Sequence, residues 1–231
     1  STGDDSFTIK SGRGIDGLRV NRPSENIVLR HNLTLTGHGG ITCGSETAGM
    51  IRDVYAHDCV FLGTNVGIRF KTRRPRGGGG ERLYYERIRM DLKATAIHFD
   101  MLGSSTYVGA LAGRGQMKRD EFTPVYRDVH IRDIVVENAS CFLKINGIPE
   151  SPARNVHISR AEANAGQLAI INDADGVTVT DAVLRAPDSA ISVSDGRNIR
   201  FEHVRFDTPD GAVRLKTDGP LTENIRFADC T

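Results

Sequence analysis

The chain has 231 residues, enough for one sizeable core, and 39% of them are hydrophobic, an ordinary fraction for a globular protein. Lysine plus arginine (30) nearly cancel aspartate plus glutamate (29), which excludes nucleic-acid or membrane-surface binding by bulk charge, so an anionic partner has to be met by a local site. No apolar run approaches the roughly 20 residues of a membrane span, and the opening Ser1-Thr2-Gly3-Asp4-Asp5 does not have the form of a signal peptide. Four cysteines, Cys43, Cys59, Cys141 and Cys230, lack metal-ligand spacing and are too sparse for a disulfide scaffold, so they are expected in the core.

From Ile27 onward one apolar pattern returns: an anchor, then apolar residues two, five and often seven positions later. Copies begin at Ile27, Val54, Leu83, Val129, Val156, Val177, Ile199 and Ile225, in steps of 27, 29, 46, 27, 21, 22 and 26 residues. Ile199, Phe201, Val204 and Phe206 give the clearest copy. The alternation is that of a strand with one extra residue at a bend, which excludes a helix of period 3.6. Its 20–30-residue period marks a solenoid of β coils. A second apolar strand follows most copies, at Ile41 to Cys43, Gly67 to Lys71, Ala96 to Phe99, Leu168 to Ile171, Ala190 to Val193 and Ala212 to Leu215. Stacked coils set equivalent residues about 4.8 Å apart. One inward column is predicted from Cys59, Ile88, Ile134, Ala161, Ala182, Val204 and Cys230, with Asn32 departing from it through a polar ladder or a shifted register. The expected fold is all-β, a single-stranded parallel β-helix forming one domain over 1–231. The 46-residue step contains Met101 to Thr123, rich in glycine and small residues. This insertion is either a surface excursion or the wall of a cleft.

Three turn-proximal clusters lie about one coil apart: Asp4 and Asp5, then Gly37-His38-Gly39-Gly40, then Arg69-Phe70-Lys71. The stack should bring them to one face over on the order of 10 Å, a geometry that suits an extended polymer. Paired carboxylates hydrolyse glycosidic bonds, one protonating the leaving oxygen and the other activating water, about 6.5–9.5 Å apart in inverting enzymes. Arg69 and Lys71 alternate to the same side of a strand, where they offer fixed positive charge to a sugar carboxylate. Taken singly each signal has a plainer explanation: Gly-Asp-Asp is commonly a turn, and a glycine-flanked histidine is commonly a loop residue. Arg214-Leu215-Lys216-Thr217 repeats Arg69-Phe70-Lys71-Thr72 with no acidic pair beside it, so the triplet alone carries little. The basic run Arg73, Arg74 and Arg76 is first of all a solvated turn.

In combination, Gly3-Asp4-Asp5-Ser6-Phe7, Gly37-His38-Gly39-Gly40 with Gly44-Ser45-Glu46, and Arg69-Phe70-Lys71-Thr72 resemble the Asp-Asp, Gly-His-Gly and Arg-Ile-Lys motifs of glycoside hydrolase family 28, the polygalacturonases. Ala96-Ile97-His98-Phe99-Asp100-Met101 and Gly147-Ile148-Pro149-Glu150-Ser151-Pro152 extend the similarity. The resemblance implies a right-handed parallel β-helix and inverting hydrolysis of the α-1,4-galacturonate backbone of pectin, without metal or other cofactor. It assigns Asp4 as general acid, Asp5 as water-activating base, His38 as an active-site hydrogen-bonding residue, and Arg69 and Lys71 as binders of the galacturonate carboxylate. Tyr107, in the insertion, is a further candidate for substrate contact. The implied partner is acidic polysaccharide or oligogalacturonate, and the implied location is secreted or periplasmic. The family's Asn-Thr-Asp motif, one coil before Asp-Asp, is not among these 231 residues. That opens a second reading, a catalytically impaired homologue that binds acidic pectic oligosaccharide; a stand-in for the missing carboxylate within the same chain would be Asp16. An uncapped first coil also predicts homo-oligomers. A purely structural solenoid is a third class, and a pectate lyase would need acidic calcium ligands beside a catalytic arginine, a group the sequence does not offer.

Overall fold

The computed structural model describes residues 1–231 as a right-handed parallel β-helix. Its elements are β1 (Phe7–Ile9), α1 (Gly14–Val20), β2 (Ser24–Arg30), β3 (Leu33–Thr34), β4 (Gly37–Cys43), β5 (Ile51–Leu62), β6 (Thr64–Lys71), β7 (Gly79–Asp91), β8 (Thr95–Asp100), α2 (Ser105–Val108), β9 (Val125–Asn138), β10 (Cys141–Asn146), β11 (Ala153–Asn164), β12 (Gln167–Arg185), β13 (Asp188–Asp207), β14 (Arg214–Asp218) and β15 (Glu223–Ala228). Every ladder between these strands is parallel. One sheet runs β1, β4, β6, β8, β10, then the first parts of β12 and β13, then β14. A second runs β2, β5, β7, β9, β11, then the later parts of β12 and β13, then β15.

Alternation places one set of side chains inside. Ile41, Ile68, Ile97, Leu143, Ala169 and Ile191 stand over one another in register and are all buried. Phe70 and Phe99 stack at 4.3 Å beside them. Each such Ile or Phe contributes about 1.5–3 kcal/mol of burial, repeated coil after coil. The strand Cys141–Asn146, absent from the sequence reading, fills its place in this sheet.

The extra residue in each repeat is a corner. The residue before each anchor has a left-handed backbone: Asn26, Asp53, Arg82, Asp128, Asn155, Gly176, Asn198 and Asn224. So does the residue five positions on: His31, Asp58, Arg87, Asp133, Arg160, Asp181, His203 and Asp229. Asn, Asp and Gly tolerate this region best, which explains their recurrence there. Neighbouring corners are stitched together, Arg82 to Asp53, Arg87 to Asp58, Arg160 to Asp133 and Asn224 to Asn198.

The predicted inward column forms, and from Cys59 to Val204 it is buried. Asn32 belongs to it without a register shift. Its Nδ2 donates to Arg30 O at 2.9 Å, as the Cys59 and Cys230 thiols donate to the carbonyls two residues before them. All four cysteines are free; three are buried and Cys230 is half-buried. Burial pushes the Cys43 thiol up to about 12.

One expectation is corrected. The Arg73-Arg74-Arg76 turn is not solvated: Arg73 and Arg74 are buried. Arg74 forms a bidentate pair with Glu150 at 2.5 and 2.6 Å and donates to the carbonyls of Leu111, Gly113 and Gly115. The motif copy at Arg214 is two residues out of register. Lys216, not Arg214, shares the outward row of Arg69, through His98, Lys144, Ile170 and Ser192.

Candidate active site

The site lies on the outward face of the first sheet, at β1, β4, β6 and β8. Its first layer is made by the segment entering β1, which pairs with the start of β4: His38 N donates to Asp4 O at 3.0 Å and Ser6 N to Gly39 O at 2.8 Å. Gly39 allows this close approach. A Cβ there would meet the Thr42 hydroxyl and lie 2.7 Å from Asp5 Oδ1.

Four of the predicted residues join in two direct contacts. Asp4 Oδ1 lies 3.2 Å from His38 Nδ1, and both side chains are open to solvent. Asp5 points the other way, its side chain 8% exposed, with Oδ1 3.9 Å from Arg69 Nη1. The Asp4 carboxyl also accepts from Asp5 N at 2.7 Å. That backbone hydrogen bond, helped by His38 and Lys71, holds Asp4 below the usual carboxylate range against a small desolvation penalty. Lys71 follows two residues after Arg69 on the same face of β6. Burial, then the neighbouring Arg69, lowers its pKa, while Asp5 and Asp100 oppose the shift.

Arg69 is more constrained than the sequence suggested. Its Nη2 donates to Asp100 Oδ2 at 3.1 Å, so the guanidinium sits between two carboxylates. Asp100 and His98 stand next to Lys71 and Arg69 in register. His98 is half-buried, and burial pushes its imidazole down to about 4, an effect that Arg69 and Lys144 reinforce and Asp100 opposes. His98 and Asp100 were visible in the motif Ala96-Ile97-His98-Phe99-Asp100, which repeats the alternation of Gly67-Ile68-Arg69-Phe70-Lys71 one coil later. Four buried side-chain atoms here have no hydrogen-bond partner within the protein: Asp5 Oδ1, Thr42 Oγ1, Arg69 Nε and His98 Nε2.

Tyr107 stands apart. It is 76% exposed on α2, with the Arg73 guanidinium 5.0 Å from its ring centroid, a cation–π contact. Asp16, on α1, pairs with Arg19 at 3.9 Å, and no hydrogen bond or ion pair joins it to the cluster. The insertion is held along the strand ends of the first sheet by Arg74 at one side and by Arg114 at the other. Arg114 donates to Asp173 at 2.8 Å, Ser194 Oγ at 3.0 Å and Asp195 at 3.0 Å.

Residues 1–106 match the profile of Glycosyl hydrolases family 28. This stretch belongs to that family. A probable polygalacturonase of Vitis vinifera is 32% identical over 159 residues, 68% of this chain and 31% of the relative. An exo-poly-alpha-D-galacturonosidase of Dickeya chrysanthemi is 37% identical over 84 residues, 36% of this chain and 14% of the relative. The chain thus spans under a third of the length of either relative. The crystal structure of a hyperthermoactive exopolygalacturonase from Thermotoga maritima superimposes with a TM-score of 0.60 at 22% identity, over 94% of this chain and 40% of that one, in agreement with the right-handed β-helix. No helix is long and apolar enough to cross a membrane.

Proposed function

We propose that this chain carries the catalytic face of an inverting hydrolase of the α-1,4-linked galacturonate backbone of pectin, acting outside the cell. The observation that carries the reading is the continuous series Asp4–His38 and Asp5–Arg69–Asp100 on one outward face. Asp4 delivers a proton to the glycosidic oxygen as the bond to the anomeric carbon breaks. Asp5 takes a proton from the water that attacks that carbon from the opposite side. His38 holds the Asp4 carboxyl. Arg69 holds Asp5 and Asp100 in place, which leaves Lys71, with no paired carboxylate of its own, to meet the carboxylate of a bound galacturonate. Tyr107 is a contact at the rim. The names of the relatives support the substrate class, and the name of one of them, an exo-poly-alpha-D-galacturonosidase, supports attack from a chain end.

One observation favours a second reading, a binder of acidic pectic oligosaccharide that turns over poorly. A general acid needs a raised pKa near its working pH, whereas the Asp4 carboxyl is lowered. A sugar covering Asp4 would desolvate it and reverse that direction. The test is release of reducing ends from polygalacturonic acid, with and without a calcium chelator. Release that is indifferent to the chelator and lost in Asp4→Asn is the expected result. Oligogalacturonate binding without release selects the second reading, and neither binding nor release overturns both.

A further inference from the structure

The outward row that begins at Thr42 and Arg69 continues through His98 to Lys144 and then to Ile170. Two coils separate Arg69 from Lys144, about 10 Å at the inter-strand spacing, more than one sugar ring covers. The charges along this face are unevenly matched. Arg69 is paired with Asp5 and Asp100, and Asp100 accepts in addition from Gly103 N at 3.4 Å. Lys71 and Lys144 belong to no ion pair, although Lys144 is half-buried on β10. The Lys144 ammonium thus has no counter-charge within the protein, and a ligand carboxylate would supply one. Between the two lysines lies His98, whose buried Nε2 has no partner within the protein. Beyond Lys144 the row is interrupted by Ile170 before it resumes at Ser192 and Lys216, so Lys144 closes the unbroken polar stretch that starts at Thr42.

We propose that Lys144 is a second carboxylate-binding position in the groove, two coils beyond Arg69 and Lys71, with His98 as a hydrogen-bonding partner for the sugar between. The proposal rests on the galacturonate reading and deepens it. A uronate polymer carries one carboxylate on every ring, so a chain laid along the stack meets Lys71 and Lys144 together, whereas a single ring meets only one. Binding through Lys144 therefore depends on ligand length.

The experiment is calorimetric titration at low salt with galacturonate monomer, trimer and hexamer. It compares the wild-type chain with Lys144→Gln, Lys144→Arg, Lys71→Ala and, as a control outside the row, the exposed Lys93→Gln. Removal of one charge-assisted contact is expected to weaken hexamer binding about tenfold in Lys144→Gln, to leave monomer binding within twofold, and to be largely restored in Lys144→Arg. Hexamer affinity within twofold of wild type in Lys144→Gln, with Lys71→Ala weakened, overturns the Lys144 position and leaves the galacturonate reading standing. Equal weakening for monomer and hexamer also overturns it, because the substitution then acts through the site as a whole. No binding of any length by the wild-type chain removes both.

Discussion

Arg74→Met probes the anchor that holds the insertion to the body. Methionine keeps the apolar stem of the arginine but leaves the Glu150 carboxylate, 3% exposed, without its cation. It also strips the carbonyls of Leu111, Gly113 and Gly115 of their donor. Removing one partner of a buried pair costs about 3–5 kcal/mol. The low end of that range raises the open population of the segments held by Arg74 about a hundredfold. Because a solenoid does not unfold as one unit, the measurement is amide hydrogen exchange resolved by peptide. Residues 109–116 and 147–152 are expected to lose protection together. In the double variant Arg74→Met/Glu150→Gln no charge is buried, so 147–152 regains protection while 109–116, still without a donor, does not. Exchange within about threefold of wild type in both segments of Arg74→Met would refute the anchoring argument.

Gly39→Ala places a methyl against the Thr42 hydroxyl and Asp5 Oδ1, forcing Asp5 from its position. In a chain that releases reducing ends, kcat should fall about a hundredfold with little change in Tm, and unchanged kcat would show that Asp5 need not stand where it does. His98 titrates at about 4 in the fold against 6.5 for the free side chain. Between those values the unfolded chain binds the extra proton, so stability rises with pH across that window and is lost on acidification. Thermal unfolding should therefore fall more steeply from pH 6.5 to 4 in wild type than in His98→Gln, and parallel curves would show that His98 is not held neutral by the fold.

The coils were legible because period and alternation are properties of sequence alone, and the anchor positions from Val54 to Ile199 are all buried. The corners were legible only as a spare residue. Their left-handed backbone explains why Asn and Asp recur before the anchors, but Arg82, Arg87 and Arg160 adopt it too, and no propensity singles those out. The site was legible where motif residues share a row. What escaped was pairing: Arg74 looked like one of three solvated arginines because Glu150, its partner, lies 76 residues away. Lys144 escaped because the 27-residue step from Val129 to Val156 was given no second strand, and Cys141–Asn146 is the strand that carries it.

The two sheets use charge in opposite ways, and the contrast separates scaffold from site. On the second sheet Glu86 accepts from Tyr55 at 2.8 Å and Arg132 at 2.6 Å and also pairs with Arg87. Glu81 is held by Arg82 and Arg127. Each of these carboxylates is saturated, and the contacts with Tyr55, Arg127 and Arg132 tie one coil to the next. On the first sheet Asp5 Oδ1, Thr42 Oγ1, Arg69 Nε and His98 Nε2 are buried without a hydrogen-bond partner in the protein. An unsatisfied buried group costs about 1–3 kcal/mol, a cost that Glu81 and Glu86 do not carry. Groups left open at such a cost, gathered on one outward row beside two unpaired lysines, are matched to a ligand that brings hydroxyls and carboxylates at the spacing of the coils.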